Sequence, residues 1–243
     1  MENRYPVLPN AFTFLNLFFG FFSILKTIQG NFHLAVWWIL IAGLMDAMDG
    51  RIARWVNASS PFGFHLDALA DLVSFGIAPG VLAYHTSLER ISGLGILICF
   101  FYVFAGAYRL ARFQVLHLHS RAVQYEGLTI TISGIALSSF WFFESVWFRS
   151  SLRGVWAILC CALSLLMIST IPYRWPRLTF REGLPRQLQS LAILLGIVSV
   201  LIFPERLLFP FFLLYILMGI VHWAIPIIPK RLSILQFLKL QKN

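Results

Sequence analysis

The sequence predicts an all-α integral membrane protein, a polytopic bundle of transmembrane helices, on three observations. The 243 residues are 59% hydrophobic and only 12% charged, with a mean hydropathy of +0.78, far from the composition of a soluble domain. The apolar residues gather into eight stretches, 10–29, 33–54, 64–86, 91–113, 127–147, 152–171, 187–203 and 207–228, most of them near the 20 or so residues that cross a bilayer as a helix. The Lys and Arg residues alternate in number from one connecting segment to the next, as they do around membrane spans.

The first stretch follows Arg4 and is too long for a signal peptide, with no small-residue cleavage site, so it reads as a retained span. With the N-terminus inside, the cytoplasmic segments hold fourteen of the 19 Lys and Arg residues, and the opposite side holds only Lys26, Arg90, Arg149, Arg153 and Arg206. That asymmetry requires an even number of spans and places both termini in the cytoplasm. Residues 1–171 form one helical domain of six spans. The segment 172–187, with Pro172, Pro176, Pro185 and four arginines, breaks the chain as a basic cytoplasmic loop. Residues 188–243 supply two further spans and a tail in which Leu232, Ile234, Leu235, Leu238 and Leu240 sit among basic residues, the pattern of an interfacial helix on an anionic leaflet.

A net charge of +9 does not indicate nucleic acid, because the basic residues are dispersed between spans and have no soluble face on which to form a patch. Cys99, Cys160 and Cys161 lie inside apolar stretches without metal-type or disulfide-type spacing and read as packing residues. His117 and His119 lack a third ligand, and His33, His65, His85 and His222 are isolated.

Of the ten acidic residues, Asp46, Asp49, Asp67 and Asp71 fall in or beside spans two and three. Carboxylates at that depth are costly and belong in a bundle interior or a wet cavity, which makes each a functional candidate. On a helix, Asp46, Asp49, Gly50, Ala53 and Arg54 share an arc of about 140°. Gly63, Asp67 and Asp71 form a second stripe at i, i+4 and i+8. Between the stripes, Asn57-Ala58-Ser59-Ser60-Pro61 reads as a turn, with Ser60 as N-cap and Pro61 as the first helical residue. The two acidic stripes then face each other across a hairpin. Facing carboxylates repel unless cations lie between them, and hard oxygen ligands select Mg²⁺ or Mn²⁺. Two such cations suit an in-line phosphoryl displacement, and Gly50 and Ala53 leave room for a phosphate to approach the backbone.

The run Asp46-x₂-Asp49-Gly50-x₂-Ala53-Arg54-x₈-Gly63-x₃-Asp67-x₃-Asp71 resembles the full signature of the CDP-alcohol phosphatidyltransferases, with all eight fixed positions present. The resemblance implies a six-helix core that usually dimerises, with its site at the cytoplasmic interface. It implies that Asp46, Asp49 and Asp67 hold one divalent cation, that Asp67 and Asp71 help hold a second, and that Asp71 is the catalytic base. By the same resemblance Asp49, Gly50, Ala53 and Arg54 line the CDP site, with Gly63 beside them. Leu66–Pro79 and Tyr108-Arg109-Leu110-Ala111-Arg112-Phe113 are similar to the family branch that uses L-serine as acceptor and CDP-diacylglycerol as donor, and Pro9–Thr13 and Met167-Ile168-Ser169 fit that branch more loosely. The chain departs from it after Glu126-Gly127-Leu128, where Thr129-Ile130-Thr131-Ile132-Ser133 stands in place of a proline-containing run.

Arg109 and Arg112 share one helical face and read either as residues snorkelling to the headgroups or as a fork for the serine carboxylate or the lipid phosphate. Arg121 is a candidate of the same kind. Two other readings stay open: the same chemistry on glycerol 3-phosphate, an inositol phosphate or another polar alcohol, and a cation transporter. The transporter reading expects acidic groups spread across the bilayer, and here they cluster at one end of two spans.

Overall fold

The computed structural model describes residues 7–56, 60–119, 127–148, 152–173, 199 and 202–224, and all regular structure among them is helical. In chain order the helices are α1 (Val7–Ile28), α2 (Phe32–Val56), α3 (Pro61–Asp71), α4 (Ala78–Thr86), α5 (Ser92–His119), α6 (Ile130–Trp147), α7 (Arg153–Ile168) and α8 (Pro204–Ala224). A π-helical segment, Leu72–Ile77, joins α3 to α4, and a 3₁₀ turn, Leu88–Ile91, leads into α5. Among the described residues, six helical segments are long and apolar enough to cross a membrane, with α3, the π-segment and α4 counting as one; α7, at 16 residues, is shorter. The chain is an integral membrane protein. The stretch predicted at 187–203 and the tail beyond 224 lie outside the described residues, apart from 199, 202 and 203.

The helices turn large apolar side chains outward, as a bundle in lipid requires. On α1, Phe14, Phe18, Phe21 and Ile28 are exposed, whereas Thr13, Asn16, Ser23 and Thr27 are buried. The inner face of α1 is thus small and polar, and α2 and α3 pack against it. A Cβ on Gly20 would collide with Ser74 Oγ, so only glycine lets α1 come this close to the π-segment. On the other side of that segment, a Cβ on Gly134 of α6 would lie 2.7 Å from Phe75 O.

Thr129 caps α6 by accepting from the Ile132 N–H, and Glu144 near its far end accepts from Leu152 N and, at 3.0 Å, from Trp156 Nε1 of α7. Phe140, Trp156 and Phe209 then close the contact of α6 with α7 and α8, at ring separations of 5.0 and 4.9 Å. The cysteines are free thiols, with Cys160 buried in the core.

The π-segment follows Asp71 directly, and the N–H of Ala78 reaches back to Val73 O, five residues earlier. Such segments leave carbonyls to be satisfied from outside the helix. Tyr102 Oη donates to Phe75 O at 3.1 Å, Ser133 Oγ donates to Tyr102 Oη at 3.1 Å, and Ser74 Oγ donates to Asn16 O at 2.9 Å. The segment is thereby tied to α1, α5 and α6.

Candidate active site

Two helices present the four aspartates. The turn expected at 57–59 lies outside the described residues; the start of α3 is set by Ser60, whose hydroxyl accepts from the Gly63 N–H at 3.0 Å, with Pro61 opening the helix, as the cap chemistry anticipates. One carboxylate oxygen from each of Asp46, Asp49 and Asp67 lies within 4.8 Å of the others. Asp71 lies one turn beyond Asp67 on α3, and it is buried, as is Asp49.

Neutral donors from other helices hold three of the four carboxylates. Thr13 Oγ1 of α1 donates to Asp49 Oδ2 at 3.2 Å, Asn16 Nδ2 of α1 donates to Asp71 Oδ1 at 3.0 Å, and Thr131 Oγ1 of α6 donates to Asp46 Oδ2 at 3.3 Å. Asp67 Oδ1 is buried with no hydrogen-bond partner among the described residues. Orphaned buried oxygens carry a desolvation cost, and carboxylates at this spacing repel. A hard divalent cation answers both, and an all-oxygen donor set suits Mg²⁺ or Mn²⁺. The residues present fit such an ion.

The glycines divide by role. A Cβ on Gly50 would meet nothing within 4 Å among the described residues, whereas one on Gly63 would lie 2.9 Å from Asn10 Oδ1 and 3.1 Å from Ser60 Oγ. Gly50 therefore borders open space beside the acidic cluster, and Gly63 makes room for the cap. The side chains of Ala53, Arg54, His117 and His119, and the whole of Arg121 and Glu126, lie outside the described residues.

Arg109 and Arg112 separate. Arg109 is buried with its guanidinium 5.9 Å from the Phe113 ring. Arg112 does not present an open fork: Nη1 donates to Ile168 O at 2.9 Å and Nη2 to Ser169 O at 3.1 Å. Its geometry is that of a cap on the last carbonyls of α7, which its position on α5 places within reach. Gly127, at φ 77°, sits on the same helix end, donating to Ile171 O at 2.9 Å, and a Cβ there would lie 2.6 Å from Met167 O.

Sequence reasoning did not find Thr13, Asn16, Tyr102 or the roles of Thr129, Thr131 and Ser133. The departure from the serine-branch pattern is thus a helix cap, a donor to Asp46 and a link to the π-segment. The buried positions 13, 16, 20, 23 and 27 of α1 repeat at alternating intervals of three and four, a periodicity visible in the sequence as a stripe of small and polar residues along an apolar helix.

The family model for the CDP-alcohol phosphatidyltransferases matches residues 6–171. The chain is 28% identical over 223 residues to a CDP-diacylglycerol–serine O-phosphatidyltransferase of Helicobacter pylori, covering 91% of this chain and 92% of that one. It is 34% identical over 166 residues to the protein of that name from Bacillus subtilis, covering 68% of this chain and 89% of the relative. An archaetidylserine synthase of Methanothermobacter thermautotrophicus is 35% identical over 168 residues, 68% of this chain and 69% of its own. With the family model spanning more than half its length and three of the four signature aspartates gathered in one cluster, the chain belongs to the CDP-alcohol phosphatidyltransferase family.

Proposed function

We propose that this protein transfers the phosphatidyl group of CDP-diacylglycerol to L-serine, giving phosphatidylserine and CMP, at the cytoplasmic face of the membrane. The observation that carries the proposal is the carboxylate cluster of Asp46, Asp49 and Asp67, with Asp71 one turn away, in a chain whose relatives bear the name of that reaction. Asp46, Asp49 and Asp67 would hold one Mg²⁺ or Mn²⁺, and Asp67 and Asp71 a second. Such ions, when bound, neutralise charge on the entering and leaving oxygens of a phosphoryl displacement. The donors Thr13, Asn16 and Thr131 each engage one oxygen of a carboxylate and so fix its orientation.

In the reaction the serine hydroxyl oxygen bonds to the phosphatidyl phosphorus, the bond from that phosphorus to the CMP oxygen breaks, and Asp71 takes the hydroxyl proton. Asp49, Gly50, Ala53, Arg54 and Gly63 would line the CDP site. The open space beside Gly50 supports this for the phosphates. Arg109, Arg112 and Arg121 would be the candidates for an anionic group, with Arg112 also donating to carbonyls at the end of α7. Family resemblance supports a homodimer, and the apolar stretches with the distribution of basic residues between them support eight spans and cytoplasmic termini.

The test is the purified chain with CDP-diacylglycerol and labelled serine, glycerol 3-phosphate, inositol phosphate and ethanolamine. Phosphatidylserine is the expected product. Ethanolamine lacks the carboxylate and should be rejected by about a thousandfold or more, as sites built around a polar group reject analogues without it. Phosphatidylglycerol phosphate formed in place of phosphatidylserine would overturn the acceptor assignment.

A further inference from the structure

Asn16 is fully buried on α1 and is joined to the neighbouring helix at two points. Its Nδ2 donates to Asp71 Oδ1 at 3.0 Å, and its backbone carbonyl accepts from Ser74 Oγ at 2.9 Å. Asp71 ends α3 and Ser74 lies in the π-segment, so one residue of α1 grips both sides of the junction. Gly20, one turn along α1, permits this approach, since its missing Cβ would collide with Ser74. The amide's orientation follows from chemistry: an ionised carboxylate only accepts, so the NH₂ group must face Asp71.

The other end of the amide has no such partner. Asn16 Oδ1 is buried and makes no hydrogen bond among the described residues. An apolar side chain of similar size would remove this unsatisfied acceptor, at the expense of the donor to Asp71. An amide that is costly to keep at this position is explained by what its N–H does for Asp71.

We infer that Asn16 is a positioning residue for phosphatidyl transfer: it commits Asp71 Oδ1 to a fixed hydrogen bond and leaves Oδ2 to receive the acceptor's proton. This rests on the role proposed above for Asp71. Without the amide, the carboxylate is free to turn about its terminal torsion, which has broad wells, and an oxygen must be found in place at each turnover. Ser74 keeps α1 in register with the π-segment, so that the pair moves as one unit.

The experiment compares full-length wild type with Asn16→Leu and Asn16→Thr, reading thermal midpoint, CMP release and Mn²⁺ binding by electron paramagnetic resonance. Asn16→Leu removes the donor and the unsatisfied oxygen together. It should lower the thermal midpoint by no more than about 5 °C, because losing the unsatisfied Asn16 Oδ1 offsets part of what Asp71 loses with its donor. It should lower kcat about 100-fold with both KM values within about threefold, and weaken Mn²⁺ binding about tenfold, the range expected when a residue that orients a metal ligand is lost. Threonine keeps a donor of similar size and should return kcat to within about tenfold of wild type. Wild-type kcat or wild-type Mn²⁺ binding in Asn16→Leu overturns the assignment. So does a Thr variant that folds with the wild-type midpoint yet is as slow as the Leu variant. CMP release and Mn²⁺ binding do not depend on which alcohol is used, so failure of the serine reading would show as a different lipid product while this comparison still stands.

Discussion

Asp46 and Asp67 differ in surroundings: Asp46 Oδ2 accepts from Thr131, whereas Asp67 Oδ1 is buried without a partner among the described residues. Asparagine at either position keeps the shape and removes the charge. Asp46→Asn and Asp67→Asn should each lower kcat by about 1,000-fold or more, consistent with loss of several kcal/mol of charge stabilisation. Both should fold at least as stably as wild type in the absence of divalent ions, since a mutually repelling charge is gone; thermal midpoints in EDTA check this. For Arg112, the two hydrogen bonds to Ile168 and Ser169 carbonyls at a partly buried helix end predict that alanine destabilises by about 1–2 kcal/mol, towards the low end of the cost of acceptors left unmet. If capping is its whole role, KM for serine should barely move in folded Arg112→Ala. The aspartates were legible in the sequence because acidic groups in apolar stretches demand a reason. Thr13, Asn16 and Thr131 were not, because a single neutral polar group is tolerated in a membrane helix and carries no such demand. The role of Arg112 depends on which helix end lies opposite, which no local pattern encodes.

Helix by helix, the start of α3 was readable because a serine before a proline sets both a cap and the first helical torsion. The π-segment was not. Leu72–Ile77 has an ordinary apolar composition, and its register is set by partners on α1, α5 and α6. The glycines provide a paired prediction at this scale. Gly20→Ala and Gly134→Ala place a methyl group against Ser74 and Phe75, and each should cost about 1–3 kcal/mol, as overpacking does. Gly50→Ala meets nothing; it should leave the thermal midpoint within about 2 °C while raising KM for CDP-diacylglycerol. Equal destabilisation by all three alanines would show that the space beside Gly50 is filled.

Across the whole molecule, composition alone was enough to read a helical membrane protein, because the bilayer permits few architectures for such a chain. The six apolar segments agree with that reading. The count of eight spans rests on the distribution of basic residues, which predicts that single cysteines placed at positions 3 and 241 are both labelled only from the cytoplasmic side. Labelling from opposite sides would mean an odd number of spans. The carboxylate cluster of Asp46, Asp49 and Asp67 ties the fold to the chemistry, and CMP and phosphatidylserine followed together while divalent cations are removed and returned report on that tie. Purified protein given CDP-diacylglycerol and serine should form both products in equal amounts, stop in EDTA, and resume when Mg²⁺ or Mn²⁺ is restored in excess. Sustained formation of both products in EDTA would contradict the account.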